Sequence, residues 1–370
     1  MENPSHPFTI IITSDEAWGD IWQIQLVYAH ELSKQHRVIF VNPPTRWHIQ
    51  KLFRPPKESS RAVKPGLTIF QYHNYFPVSI FNNFFTKIND RLNSWRLTEL
   101  LKNKNEKIIL WQFDLHRMRK MYNTRVSKKI YHVVENYKGL KTDSRFAREA
   151  DLVLFTNPNL RIHYESLNRN ILHIPHGINP EEHIADPEIT RMLTGDFGNY
   201  ILCLGSISDD YDLALLEKIA LSISNRNLIF IGPLLMKIQE NSRYFHKIIQ
   251  MKNVKYLGTV HGLEIKHYVS AASVCLVPYR NKAMKGGINR SPLRILNYLA
   301  QKKVIVTSIF SEIPELENKA IYTASDTEQF IRLVEDAIGN KLMLDEKAVE
   351  KYLQEKSFRK MFQNIFVQLQ

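Results

Sequence analysis

The run from Met284 to Arg294, MKGGINRSPLR, brings together the groups that a bound anion needs. Lys285, Arg290 and Arg294 supply charge. Gly286 and Gly287 carry no Cβ, so their backbone can approach a ligand closely. Ser291 suits a helix N-cap and Pro292 a first helical residue. A helix starting there would turn its free amides and the positive end of its dipole toward a phosphate. The competing reading is an ordinary capped helix after a solvated basic loop. Asp210 and Asp212 stand one residue apart, as metal-binding acids can, but they follow a strand and read as loop. None of the fourteen histidines is spaced with cysteine as a zinc site requires, so no metal is expected. Neither GxGxxG nor GxxxxGK[ST] occurs, and no bound cofactor is expected.

These groups must be positioned by the elements around them. FTIIIT (8–13), a helix over 21–36 and RVIFVNPP (37–44) form a strand–helix–strand opening, a parallel βαβ unit. Strands follow at 107–112, 129–134, 151–156 and 170–175. A second alternation starts at Tyr200, with strands YILCLG, NLIFIG, NVKYLG, SVCLVPY, KVIVTS and AIYTA. Helices LALLEKIALSI, LEIKHYVSA and SPLRILNYLA lie between them. Residues 184–199 read as a linker and 346–370 as one long amphipathic helix. The expected organisation is α/β: a Rossmann-like domain over 1–183, the linker, a second such domain over 200–345, and a terminal helix crossing back to the first. Two such halves place a ligand cleft at their strand carboxyl ends. Cys203 and Cys275 sit in apolar runs and read as core residues. Together with an N-terminus lacking a signal-peptide pattern, they suggest a cytoplasmic protein.

NVKYLGTVHGLEIKHYVSAASVCLVPYRN followed by SPLRILNYLAQKKVIVTS resembles the donor domain of group 1 glycosyltransferases of the GT-B architecture. The subgroup it most resembles makes teichuronic-acid-type and other bacterial envelope polysaccharides. ADLVLFTNPNL and ILHIPHGINPEEH carry weaker likeness in the first half. The resemblance implies transfer of a hexosyl group from a nucleotide-sugar donor to a hydroxyl of a saccharide, lipid-linked or glycoconjugate acceptor. It also implies retention at the anomeric carbon and no metal. Lys285, Gly286, Gly287, Arg290, Ser291 and Arg294 would bind the donor phosphates. Gly232, Gly258, Tyr279 and Asn297 would lie at the base and ribose, although Tyr279 also reads as core packing. Glu135, at a strand end, and Asn289 would be the catalytic residues. Trp18, Gly19 and Asp20 belong to an acceptor-side loop. The family's two glutamates are Asn289 and Asn297 here, and LGSISDDYD lacks its diphosphate-binding Arg and Lys. A catalytically impaired scaffold, a sugar-binding partner subunit and a nucleotide-sugar epimerase are therefore the rival readings.

The net charge of +13 favours acidic partners. No zinc-finger, RNP or basic-zipper pattern supports nucleic acid as one of them. Residues 46–64 carry Arg46, Lys51, Arg54, Lys57, Arg61 and Lys64 against Glu58 alone. Residues 70–85 follow with Phe70, Tyr72, Tyr75, Phe76, Phe81, Phe84 and Phe85. Basic residues beside exposed rings suit peripheral docking on an anionic membrane, here the inner face. The alternative puts those rings in the core.

Overall fold

The structure is a computed structural model describing residues 8–19, 23–45, 59–77, 83–101, 106–118, 121–122, 124–280, 293–308 and 313–369. The chain forms two compact units: Met1–Pro175 with Phe362–Gln370, and His176–Met361.

The first unit holds β1 (Thr9–Thr13), β2 (Arg37–Val41), β3 (Ser59–Lys64), β4 (Leu67–Gln71), β5 (Ile108–Gln112), β6 (Lys128–Val133), β7 (Leu152–Phe155) and β8 (Ile171–His173). They form one sheet in the order β3-β4-β2-β1-β5-β6-β7-β8. β3 and β4 pair antiparallel; the other neighbours pair parallel. Every residue of β1 and β5 is buried. That is why TIIIT and IILWQ are unbroken apolar runs: a central parallel strand is covered on both faces. The antiparallel pair was not expected from the sequence, where no strand was read in residues 46–71.

Four described helices accompany this sheet: α1 (Ile24–Leu32), α2 (Asn83–Glu99), α3 (Lys141–Glu149) and α4 (Arg161–Glu165). α2 buries polar side chains, namely Thr86, Asn89, Asp90, Asn93 and Ser94. Asn89, Asp90 and Asn93 among them hold backbone outside the helix. Asn89 Oδ1 accepts from the amides of Tyr75 (2.9 Å) and Phe76 (3.0 Å), and its Nδ2 donates to the Phe76 carbonyl (2.9 Å). Asp90 Oδ1 accepts from Met118 N at 3.0 Å, and Asn93 Nδ2 donates to His73 O at 3.2 Å. These bonds to backbone outside the helix fix its rotation about its axis. α3, β6 and α4 meet at Asp143, which is fully buried. Its carboxylate accepts from the hydroxyls of Tyr131 (2.6 Å) and Tyr164 (2.8 Å) and lies 3.0 Å from His163 Nε2.

The expected aromatic surface over 70–85 is largely interior. Phe70 and Tyr72 are each 3% exposed and belong to a core cluster under β4 and β5. Tyr75, Phe76 and Phe85 are half-buried, whereas Phe84 is exposed. Arg61 lies exposed on β3; Phe81 and the basic residues of 46–57 lie outside the described residues.

The second unit contains β9 (Tyr200–Leu204), β10 (Leu228–Ile231), β11 (Val254–Tyr256), β12 (Ala272–Val277), β13 (Ile305–Thr307) and β14 (Ile321–Thr323). Their order is β11-β10-β9-β12-β13-β14, all parallel. Its helices are α5 (Pro187–Phe197), α6 (Leu213–Ser222), α7 (Gln239–Ile248), α8 (Ile265–Ala271), α9 (Leu293–Ala300), α10 (Thr327–Ile338) and α11 (Glu346–Glu355), followed by the start of α12 (Phe358–Gln368). Two expectations need correction. The segment 184–199 is not an open linker: it forms α5, started by Pro187 and capped by Asp186, whose carboxylate accepts from Glu188 N at 2.8 Å. Residues 346–370 do not form one helix. α11 and α12 are separate, with Ser357 between them paired to Ile178. α12 does return to the first unit. There the Phe362 ring meets Tyr28 edge-on at 5.6 Å, and Phe366 stacks on Phe8 at 6.1 Å.

Candidate functional site

In an open parallel sheet, ligands collect at the strand carboxyl ends where the strand order reverses. In the second unit that point is the end of β9, between β10 and β12. The chain leaves β9 through Gly205 (φ +105°) and β10 through Gly232 (φ +138°). The two are in contact, because a Cβ on Gly232 would lie 2.3 Å from the Gly205 carbonyl oxygen. Only glycine permits that backbone and that approach. Gly258, after β11, accepts from Gly232 N at 2.7 Å and joins the same edge.

α9 brings Arg294 to this edge. A Cβ on Gly205 would lie 2.7 Å from the Arg294 Cζ, so the guanidinium rests directly on the Gly205 backbone. Arg294 Nη1 donates to the Tyr211 hydroxyl at 2.5 Å, and Cζ lies 5.7 Å and 5.2 Å from the ring centres of Tyr211 and Tyr279. The two rings meet edge to face at 5.4 Å. A cation clasped by two aromatic rings is held in one orientation. Burial pushes the Tyr211 phenol well above its ordinary range, so it donates or accepts as a neutral group. Tyr279 is 8% exposed, and the structure places it as packing for Arg294.

Asn297, one turn on, lies 3.1 Å from His183 Nε2, and His183 Nδ1 lies 2.9 Å from the Asn179 carbonyl. Burial lowers the His183 pKa, so the ring is neutral at pH 7 with one N–H. The Asn297 atom facing Nε2 is the side-chain oxygen Oδ1, which accepts when Nε2 carries the proton. The acids after β9 hold backbone. Asp212 caps α6 by accepting from Leu215 N at 3.0 Å. Asp209 accepts from Lys237 N and Asn241 Nδ2, each at 2.9 Å. Lys285, Gly286, Gly287, Asn289, Arg290 and Ser291 lie outside the described residues, as does Asp20.

The first unit has its own reversal, between β1 and β5. After β1, Asp15 accepts from Gln25 Nε2 at 3.2 Å. The other amide atom of Gln25, Oε1, is enclosed and has no hydrogen-bond partner among the described residues. Trp18 N donates to Asn42 Oδ1 at 2.8 Å, and its ring meets Phe40 edge-on at 5.3 Å. A Cβ on Gly19 beside it would lie 4.0 Å from the Ala17 carbonyl oxygen, an ordinary contact. After β5, Asp114 is buried; it accepts from His116 N at 2.7 Å and Arg117 Nη1 at 2.9 Å. Burial raises its pKa and Arg117 opposes the rise. After β6, Glu135 is exposed. The Tyr137 phenol is pushed up by burial, then by the charges of Asp15, Glu135 and Asp114. Asp143 adds to the same effect, so the charges that act on this phenol come from four carboxylates. The expected Glu135 and Trp18–Gly19 belong to this edge. Asp114 and Tyr137 were missed; the signal for Asp114 was an acid two residues past an all-buried strand.

Residues 198–340 match the family model described as Glycosyl transferases group 1. Over 151 residues the chain is 20% identical to the Bacillus subtilis protein TuaH, assigned to teichuronic acid biosynthesis as a glycosyltransferase. That match spans 40% of this chain and 37% of the relative. Among solved structures, the Anabaena protein HepE in complex with UDP-glucose superposes with a TM-score of 0.64 at 12% identity, covering 98% of this chain and 99% of the other. The sucrose-phosphate synthase of Thermosynechococcus elongatus gives 0.64 at 12%, covering 97% and 99%. The catalytic domain of Arabidopsis thaliana starch synthase IV, bound to ADP and acarbose, gives 0.64 at 12%, covering 99% of each chain. The fold is that of GT-B glycosyltransferases, with two Rossmann-like domains.

Proposed function

We propose that this chain is a nucleotide-sugar-dependent glycosyltransferase whose donor diphosphate sits on Gly205 and Arg294. The observation that carries the reading is the Arg294 guanidinium held at the β9 end, where the strand order reverses. The group 1 match over 198–340 covers this edge, and HepE and starch synthase IV are solved with UDP-glucose and ADP. As the bond from sugar to diphosphate breaks, negative charge grows on the leaving phosphate. A fixed cation in a partly dry site stabilises that charge more than it stabilises the ground state. The phosphate-binding groups expected in 285–291 would add to that stabilisation, with the protein's own cations serving in place of a metal. Gly232 and Gly258 present backbone to the nucleoside. Asp15 and Glu135 at the strand ends of the first unit are exposed and offer acceptors for a saccharide's hydroxyls, and Glu135 is the acid assigned to the reaction.

The hexosyl group, retention of configuration, a role in envelope polysaccharide synthesis and a cytoplasmic location belong to this proposal. TuaH supports the pathway, and the free, buried Cys203 and Cys275 fit a reducing compartment. The engagement of Asn297 with His183 favours one rival, a fold that binds donor with impaired turnover. Release of nucleoside diphosphate from UDP-, GDP- and dTDP-sugars separates the two. Turnover that falls about 10²–10³-fold in Arg294→Ala supports the enzyme. Tight donor binding with no release or transfer would favour the rival.

A further inference from the structure

α2 is amphipathic the wrong way round. Its inward side is the polar seam Thr86, Asn89, Asp90, Asn93 and Ser94, each committed to the interior. Its outward side carries Phe84, Ile88, Leu92 and Trp95, with Lys87 and Arg91 alongside. At 100° per residue these six fall within one arc of the helix. Phe84 is 64% exposed, Trp95 56% and Leu92 37%; Lys87 and Arg91 are exposed and Ile88 is half-buried. The helix cannot rotate to hide the rings, because Asn89, Asp90 and Asn93 lock it to the loops at 73–76 and 118. From Phe84 to Trp95 the stripe runs about 16 Å. Glu99, a turn beyond Trp95, is the acid on this side of the helix.

The charge of the whole unit agrees. Met1–Pro175 with Phe362–Gln370 holds 26 Lys and Arg against 15 Asp and Glu, whereas His176–Met361 holds 24 against 22. Nearly all of the protein's positive excess therefore lies in the unit that exposes the stripe.

We propose that the outer face of α2 docks on an anionic lipid surface. Phe84, Leu92 and Trp95 would enter the headgroup boundary, and Lys87 and Arg91 would pair with acidic headgroups. A convex helix face with apolar residues in a line and cations along its flank matches a planar interface, where shallow ring burial and headgroup attraction act together. The inference rests on this surface alone and is independent of the donor site in the other unit.

The test is sedimentation of the full chain with phosphatidylcholine vesicles made with and without phosphatidylglycerol, at low and high salt. Wild type should pellet with the anionic vesicles at low salt, less at high salt, and stay soluble with the neutral ones. Lys87→Glu/Arg91→Glu and, separately, Leu92→Glu/Trp95→Glu should each weaken anionic-vesicle binding at least about tenfold. All the replaced side chains are exposed, so circular dichroism and UDP binding should be unchanged; both measurements exclude misfolding. Wild type that stays in the supernatant, or double variants that pellet as wild type does, would overturn the proposal. So would loss, in Leu92→Glu/Trp95→Glu, of an oligomer seen by analytical ultracentrifugation without lipid, which would assign the face to protein contact.

Discussion

Gly205→Ala tests how the donor cation is held. The new methyl would meet the Arg294 guanidinium at 2.7–2.9 Å, and the side chain, being long and flexible, would swing away. Alanine at φ +105° also strains the backbone by ~1–3 kcal/mol, which lowers stability without bearing on the nucleotide. The binding effect is therefore bounded by what Arg294 contributes. A charge-assisted hydrogen bond to phosphate is worth ~1.5–3 kcal/mol, or roughly 10- to 150-fold in Kd. Calorimetry with UDP on wild type, Gly205→Ala, Arg294→Ala and the double variant forms a cycle. Gly205→Ala alone should lose most of that factor. In the Arg294→Ala background it should cost under ~0.5 kcal/mol, because there is no guanidinium left to displace. Losses that add in full, or a Gly205→Ala protein that binds as wild type does, would refute the link between Gly205 and Arg294.

Further outcomes follow from the other buried groups. Asp143→Ala leaves the Tyr131 and Tyr164 hydroxyls buried without their acceptor, and should lower stability by on the order of 3 kcal/mol in urea denaturation. Burial lowers the His176 pKa from 6.5 to about 4, so below pH 6.5 the unfolded chain takes up a proton that the folded chain refuses. Stability is then complete above pH 6.5 and falls as the pH drops from 6.5 toward 4, by on the order of 3 kcal/mol; His176→Gln should flatten that part of the profile. Turnover should survive EDTA, since Asp212 is occupied as the α6 cap. Loss of activity with EDTA that Mn²⁺ restores would return the Asp210/Asp212 pair to consideration.

The strands were legible because central parallel strands must be apolar on both faces; TIIIT, LVLF and YILCL show no alternation and are buried throughout. α2 was not, since the rule that reads helices from an inward apolar stripe fails when the buried side is Asn89, Asp90 and Asn93. The same inversion explains why its exposed rings merged with the buried Phe70 and Tyr72 into one aromatic run. α5 was hidden by Pro187 and Gly195, residues that suggest a linker, although Pro187 sits where a helix accepts it. At the site, Arg294 could be found from its place at a helix start. Its clasp by Tyr211 and Tyr279 could not, because those residues come from separate strand ends. His183 and Asn297 pair across 114 positions, a contact that only the folded sheet creates.

Donor binding is decided by calorimetric titration of the wild-type chain with UDP, GDP and dTDP and their common sugar conjugates. Saturable one-to-one binding of at least one of them is expected, at micromolar to low-millimolar Kd, competed by the free nucleoside diphosphate. Absence of binding across the whole panel, by a protein shown to be folded, would contradict it.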